Sequence, residues 1–144
     1  MEPYPEVLAL AKLHLLRFVV FILLFGVLAL VLLAVQGRKG RWYALMTGTW
    51  VVINALVAAA LHYHLGHPPH LQLPSVLGHI AFWMGFNLIL DAFYCLCALV
   101  LYWLVHATDG FDELYFGFGN AVLVQGLGLL LIDLWFYRQL VLLI

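Results

Sequence analysis

The stretch FVVFILLFGVLALVLLAV, residues 18–35, carries no polar side chain in 18 consecutive positions. An α-helix rises 1.5 Å per residue, so about 20 apolar residues cross the hydrocarbon core of a bilayer, which is about 30 Å thick. A membrane-spanning β-strand would instead alternate polar and apolar residues over about ten positions. The stretch therefore predicts a transmembrane helix.

Three more segments of the chain are long, apolar and continuous. Because a segment in lipid must satisfy its own backbone polar groups, continuous apolar runs of this length indicate helices. We predict an all-α polytopic membrane four-helix bundle that forms a single transmembrane domain over residues 1–144. The predicted transmembrane helices span about 7–35, 42–64, 79–105 and 116–142.

The composition of the chain narrows its class further. Hydrophobic residues make up 67% and charged residues 9%, whereas soluble domains are near half apolar and about a quarter charged. This balance excludes an ordinary soluble enzyme, a disordered chain and a nucleic-acid-binding protein, each of which needs more charge. The composition therefore predicts the lipid bilayer as a partner and no nucleic acid.

Four predicted spans place both termini and the connection between the second and third helices on one side of the membrane, which we call the terminal side. The basic residues divide equally between the two sides, so their count does not decide the orientation. The first loop holds them in the tightest cluster, which favours a cytoplasmic first loop and outside termini. They are Lys12, Arg17 and Arg138 on the terminal side, and Arg38, Lys39 and Arg41 on the opposite side.

Two aspartates and four amides lie within the predicted spans, although an ionised carboxylate at mid-membrane costs about 2.5 to 3.5 kcal/mol on insertion scales. Asp91 lies within about 2 Å of the centre of the third span, and Asp133 about 9 Å from the centre of the apolar stretch 117–137 of the fourth, toward the terminal side. Asn87 and Asp91 share a helix face because they are four residues apart. The predicted intramembrane polar cluster comprises Asn54, Asn87, Asp91, Asn120, Gln125 and Asp133, together with Arg17.

The polar cluster has two interpretations. Its side chains hydrogen-bond between helices and hold the bundle together, at about 0.6 to 2 kcal/mol per contact, or they line a cavity that binds a small ligand, an ion or a proton. In both cases the cost of exposing them to hydrocarbon predicts that they point into the bundle. Arg17 and Asp133 lie at similar depths, so we also predict that they form an ion pair or approach within water-bridging distance.

Small residues indicate where helices approach each other closely. Ala44 and Gly48, and Ala81 and Gly85, have the small-xxx-small spacing of tightly packed membrane helices. The fourth helix contains four glycines, at positions 117, 119, 126 and 128, where the absence of a side chain allows a neighbouring helix to approach closely. These patterns predict close packing within the bundle or between subunits.

Histidines are concentrated on the terminal side, where four of them fall between residues 62 and 70. Imidazole binds transition metals and haem iron, so this loop predicts a candidate metal site. A pair of histidines facing each other across two helices would suit haem. The alternative is a polar interfacial loop without metal. The candidate ligands are His62, His64, His67 and His70, with His14 and His79 as the pair that would suit haem.

The fourth span carries the sequence Gly117-Phe-Gly-Asn-Ala-Val-Leu-Val-Gln-Gly126, followed by Leu129-Leu-Leu-Ile-Asp133. This pattern resembles a family of small four-helix bacterial integral membrane proteins of unknown function, with an Asn-Ala, Gln-Gly and Asp signature in the last helix. Asn87, Asp91 and Tyr94 look like the third-helix part of the pattern, and Asn54 like that of the second. The resemblance implies a bacterial inner (cytoplasmic) membrane and no particular activity, and the histidine-rich loop lies outside it.

Three functional hypotheses follow from these residues. The first is a non-enzymatic membrane protein whose polar core binds a ligand, lipid or ion, or which serves as an accessory subunit, as a homo-oligomer or in a larger membrane complex. The second is a metal- or haem-binding protein that uses the histidines. A membrane enzyme ranks third, because the sequence shows no nucleophile–base pair, phosphate loop or HExxH motif.

Overall fold

A computed structural model of the chain describes residues 4–66, 73–107 and 110–143. Within these residues the chain forms four helices and no strand, which confirms the all-α four-helix prediction. The helices are α1 (Tyr4–Val35), α2 (Arg38–Gly66), α3 (Leu73–Ala107) and α4 (Asp112–Val141). Each contains a stretch that is long and apolar enough to cross a membrane.

The helices extend beyond the predicted spans because the polar and proline-containing flanks are also helical. Helix α3 begins at Leu73, six residues before the predicted start. Pro74 lies in its first turn, where proline is tolerated since the backbone N–H groups there have no partner within the helix. Helix α4 begins with Asp112 and Glu113. Their negative charges stabilise the helix N-terminus by interacting with the positive end of the helix dipole. Gly110 precedes it with a φ of 91°, a left-handed conformation that glycine adopts without strain.

Helix α4 is the centre of the bundle and packs against all three other helices. Helix α2 packs against α1 and α4, whereas α3 packs closely against α4. Among the described residues, α2 and α3 do not approach each other closely along their lengths. A gap between α2 and α3 is therefore the main irregularity of the bundle.

Two buried apolar clusters hold the helices together. One, toward the terminal side, joins α1, α3 and α4 and consists of Val7, Ala11, Met84, Phe136 and Leu140. The other joins α1, α2 and α4 and consists of Phe18, Phe21, Ile22, Ala58 and Leu129. Large apolar side chains cover the outside as well, such as Leu23 and Leu24, each more than 60% exposed. An outer surface of this kind suits hydrocarbon rather than water.

Glycines bring α3 and α4 together, but not all the predicted small residues do so. A Cβ atom on Gly126 would lie 3.3 Å from Tyr94 Cβ, and one on Gly119 would lie 3.3 Å from the Tyr102 ring. A Cβ atom on Gly48 or Gly85 would meet no described heavy atom within 4 Å beyond its own helix surroundings. The close approach predicted for the fourth helix is thus confirmed, and neither of these two glycines lies at a close contact.

Candidate functional site

A cleft with a volume of about 470 Å³ lies in the gap between α2 and α3. Helices α2 and α3 form its walls, and α1 and α4 form its floor. Ile53 and Trp83 line the cleft and are 42% and 48% exposed, so the cleft reaches the outer surface of the bundle. Its lining consists of His14, Phe18, Trp50, Ile53, Asn54, Val57, Ala60, Leu61, Trp83, Met84, Asn87, Leu90, Asp91, Tyr94, Leu129 and Asp133.

Side chains of α2 and α3 meet at one end of the cleft. The rings of Trp50 and Tyr94 contact each other edge to face, with their centroids 4.4 Å apart. Toward the terminal side, Met84 belongs to the apolar cluster that includes Phe136, with Leu65 packed against it. The cleft opens sideways, between α2 and α3.

The cleft collects four of the polar residues predicted from the sequence. Asn54, Asp91 and Asp133 are buried, and Asn87 is half-buried. They come from α2, α3 and α4 and all line the same compartment. The prediction that they point into the bundle is confirmed for the three buried residues, and it agrees with the position of Asn87 in the lining.

The direct ion pair predicted between Arg17 and Asp133 is wrong, and their approach to within water-bridging distance stays a prediction. Asp133 Oδ1 instead lies 3.6 Å from His14 Nε2, and both side chains are less than 10% exposed. The His14 ring lies 4.3 Å from the Phe136 ring, between their centroids. The Arg17 guanidinium covers the Trp135 ring, with Cζ 3.4 Å from the ring centroid, an arrangement that favours a cation–π contact. Similar depth in the membrane did not decide which basic side chain meets the acid.

We expect His14 and Asp133 to be coupled in stability. Replacing either one by leucine leaves the other polar group buried without its partner, whereas replacing both removes the two groups together. The free energy of unfolding of the double variant, His14→Leu with Asp133→Leu, should therefore exceed the additive value by about 1 kcal/mol. Unfolding of the wild type, the two single variants and the double variant in mixed micelles measures this coupling free energy. Strict additivity of the two single losses would contradict the coupling.

Two further residues of the predicted cluster lie outside the cleft lining. Asn120 bridges α3 and α4, because Tyr102 Oη donates to its Oδ1 at 2.9 Å, and its Nδ2 donates to the Phe116 carbonyl at 2.9 Å. This amide joins helices, as the first interpretation of the cluster predicts. Gln125 is 2% exposed, and neither atom of its amide has a hydrogen-bond partner among the described residues.

Three polar atoms of the cleft residues are buried and have no hydrogen-bond partner within the described chain. They are Asp91 Oδ2, Trp50 Nε1 and His14 Nδ1. An unpaired buried polar group costs about 1 to 3 kcal/mol, so such a set in one compartment requires an explanation. The sequence alone did not identify Trp50, because a tryptophan that faces a cleft and one that faces lipid occur in the same apolar sequence context. Its spacing of four residues from Asn54 was the available signal.

The structure does not test the histidine-rich metal site as a whole. His67 and His70 lie outside the described residues, and His64 and His79 belong to α2 and α3. His62 is exposed, and His14 is buried beside Asp133. Within the described residues, no group of three or more histidine, cysteine, aspartate or glutamate side chains could hold a metal ion. The metal and haem interpretations stay predictions.

A second cavity, of about 640 Å³, lies at the end of the bundle where α2 and α4 begin. The basic start of α2 and the acidic start of α4 both line it, so two arginines and two acids share one surface. These residues are Arg38, Arg41, Asp112 and Glu113. Their formal charges cancel, and the cavity is separate from the cleft.

Residues 14–134 match the model of a family of unknown function, DUF6992. The chain belongs to this family. The residues that match DUF6992 include most of α1 and α4, all of the cleft lining and both members of the His14–Asp133 contact. It confirms the resemblance to a family of unknown function that the fourth-span pattern indicated. No curated protein and no solved structure shows a significant match to the chain.

Proposed function

We propose that this protein is a non-enzymatic membrane protein that binds a small amphipathic molecule in the cleft between α2 and α3. The observation that carries the proposal is the lateral cleft of about 470 Å³, which Asp91 lines from α3 with its Oδ2 lacking a hydrogen-bond partner among the described residues. An apolar cavity with a few convergent polar groups is the usual form of a small-molecule site. A ligand would enter sideways from the lipid, past Ile53 and Trp83.

The chemistry of the cleft favours binding over catalysis. A histidine beside an aspartate resembles the base of a catalytic triad, but such a base acts on a neighbouring nucleophile. The described lining contains no serine, threonine, cysteine or lysine for the His14–Asp133 contact to activate. The unpaired polar atoms are instead suited to hydrogen-bonding a bound molecule.

The location of the protein is also part of the proposal. The length and apolar character of the four helices support an integral membrane protein. We place it in a bacterial inner membrane, with the α1–α2 connection and the arginines at the start of α2 in the cytoplasm. The cleft then opens within the half of the bilayer that faces away from the cytoplasm.

We expect a bulky side chain at Ala60 to abolish binding. Ala60 and its neighbour Ala59 are both exposed, but only Ala60 lines the cleft, so Ala59→Phe is a matched control for Ala60→Phe. Native mass spectrometry of protein released from membranes should show a bound small molecule on the wild type and on Ala59→Phe, and none on Ala60→Phe. Equal occupancy of all three proteins, or of none, would contradict the proposed function.

A further inference from the structure

The charge of the cleft is unbalanced around Asp91. This residue is 4% exposed, and its Oδ2 has no hydrogen-bond partner in the part of the chain that the structure describes. No lysine or arginine is among the described residues that line the cleft. The histidine of the lining, His14, faces the other acid, Asp133, at 3.6 Å. The compartment therefore contains more acidic groups than basic groups to balance them.

Aromatic rings surround the same space. Phe18, Trp50, Trp83 and Tyr94, from three helices, all line the cleft. The faces of aromatic rings carry negative electrostatic potential and attract cations, and tryptophan does so most strongly. Rings of this kind around a carboxyl group form the usual site for an ammonium ion.

We propose that the ligand of the cleft is a lipophilic cation, an amine or a quaternary ammonium or phosphonium ion with apolar substituents, whose charged centre lies beside Asp91. This inference rests on the proposed function and names its ligand class. A cation beside Asp91 favours the ionised carboxylate and offsets the cost of burying that charge. The apolar substituents occupy the rest of the cleft, among Ile53, Val57 and Leu61.

Other classes of amphiphile fit the cleft less well. An anionic headgroup, such as a phosphate or a fatty-acid carboxylate, would meet two acids and no lysine or arginine in the described lining. A neutral lipid forms no ion pair with Asp91 and makes no cation–π contact with the aromatic rings of the lining. The cation is the class for which both the acid and the rings make favourable contacts.

Two ions of nearly the same shape and opposite charge test the inference. Tetraphenylphosphonium and tetraphenylborate are compared by equilibrium dialysis against the protein in nanodiscs of neutral lipid, with protein-free nanodiscs to correct for partitioning. We expect saturable binding of one tetraphenylphosphonium per protein and no saturable binding of tetraphenylborate. Equal binding of the two ions, or binding of neither, would overturn the inference.

A variant then locates the charged centre. Asp91→Asn keeps the size of the side chain and removes its charge, so the affinity for tetraphenylphosphonium should fall roughly tenfold or more. Asp112→Asn removes an exposed acid on the opposite side and should bind as the wild type does. Unchanged affinity of a folded Asp91→Asn protein would overturn the assignment, and the comparison of the two ions on the wild type remains decisive if this variant does not fold.

The outcomes separate this inference from the proposed function. If the wild type retains an amphiphile that Ala60→Phe loses, but tetraphenylphosphonium does not bind, the cleft is a binding site and the cationic ligand class is wrong. If tetraphenylphosphonium binds the wild type and Ala59→Phe but not Ala60→Phe, both conclusions stand. If Ala60→Phe binds it as tightly as the wild type does, tetraphenylphosphonium binds outside the cleft and the inference is wrong, whereas the amphiphile detected by mass spectrometry still decides the proposed function.

Discussion

The Gly126→Leu variant should lose about 3 kcal/mol in the free energy of unfolding, since its side chain has no room between α3 and α4. A Cβ atom there would lie 3.2 Å from Cys95 Sγ, 3.3 Å from Tyr94 Cβ and 3.5 Å from the Asp91 carbonyl oxygen. Two of these atoms belong to the α3 backbone or to its first side-chain carbon, so they move only if the helix moves. Leucine at this position therefore pushes the two helices apart.

The same glycine supports the cleft, so binding should fall along with stability. Asp91 and Tyr94 both line the cleft and both face Gly126. Unfolding in mixed micelles, followed by circular dichroism, measures the loss of stability, and helix content before unfolding should be unchanged. Gly85→Leu is the matched control, because no described heavy atom beyond its own helix surroundings lies within 4 Å of its Cβ position. Equal stability of the two variants would contradict close α3–α4 packing.

The Phe136→Ala variant should also lose a large part of its stability, about 2 to 3 kcal/mol in the free energy of unfolding. Phe136 is 2% exposed, belongs to the cluster toward the terminal side and contacts the His14 ring. In a bilayer the unfolded helices are already in an apolar medium, so the transfer contribution is small. The loss comes from the cavity that the ring leaves behind.

A control for Phe136→Ala lies two residues away on the same helix. Leu134 is 51% exposed and faces outward, so Leu134→Ala exchanges contacts with lipid and should change the stability by less than about 1 kcal/mol. Thermal unfolding of the two variants and the wild type in one detergent compares them. A loss as large for Leu134→Ala as for Phe136→Ala would show that Phe136 does not lie in a packed core.

The helices and the burial of the polar residues were predictable because each depends on a local property. A continuous apolar run of sufficient length forms a helix in lipid whatever its neighbours are. Likewise, the cost of exposing Asp91 or Asp133 to hydrocarbon is a property of that side chain alone. One sequence is enough to predict such features.

The partner of Asp133 was not predictable in this way. Depth along the membrane follows from residue number, but the choice between two basic residues one turn apart depends on the packing around them. His14 has a short, flat side chain that lies beside the Phe136 ring. Arg17 is longer, and it extends over Trp135 instead. Those ring contacts involve distant parts of the chain, which periodicity does not report.

The cleft was equally hidden from the sequence. Spacing identifies the helix faces on which small residues lie, and it predicted close packing at Gly48 and Gly85. Neither is in close contact in the structure, whereas Gly126 is. A gap between α2 and α3 arises from the arrangement of all four helices, with α4 against each of the others. No short pattern in α2 or α3 encodes that arrangement.

The central position of α4 also has a consequence for the order of assembly during synthesis. Helices α1 and α2 pack against each other and form a hairpin as soon as both are inserted. Helix α3 packs mainly against α4 and must remain in the bilayer without its principal neighbour until the ribosome has made that last helix. During this interval Asp91 lacks the neighbours that bury it in the finished bundle. Synthesis of residues 112–141 therefore completes the packing around Asp91.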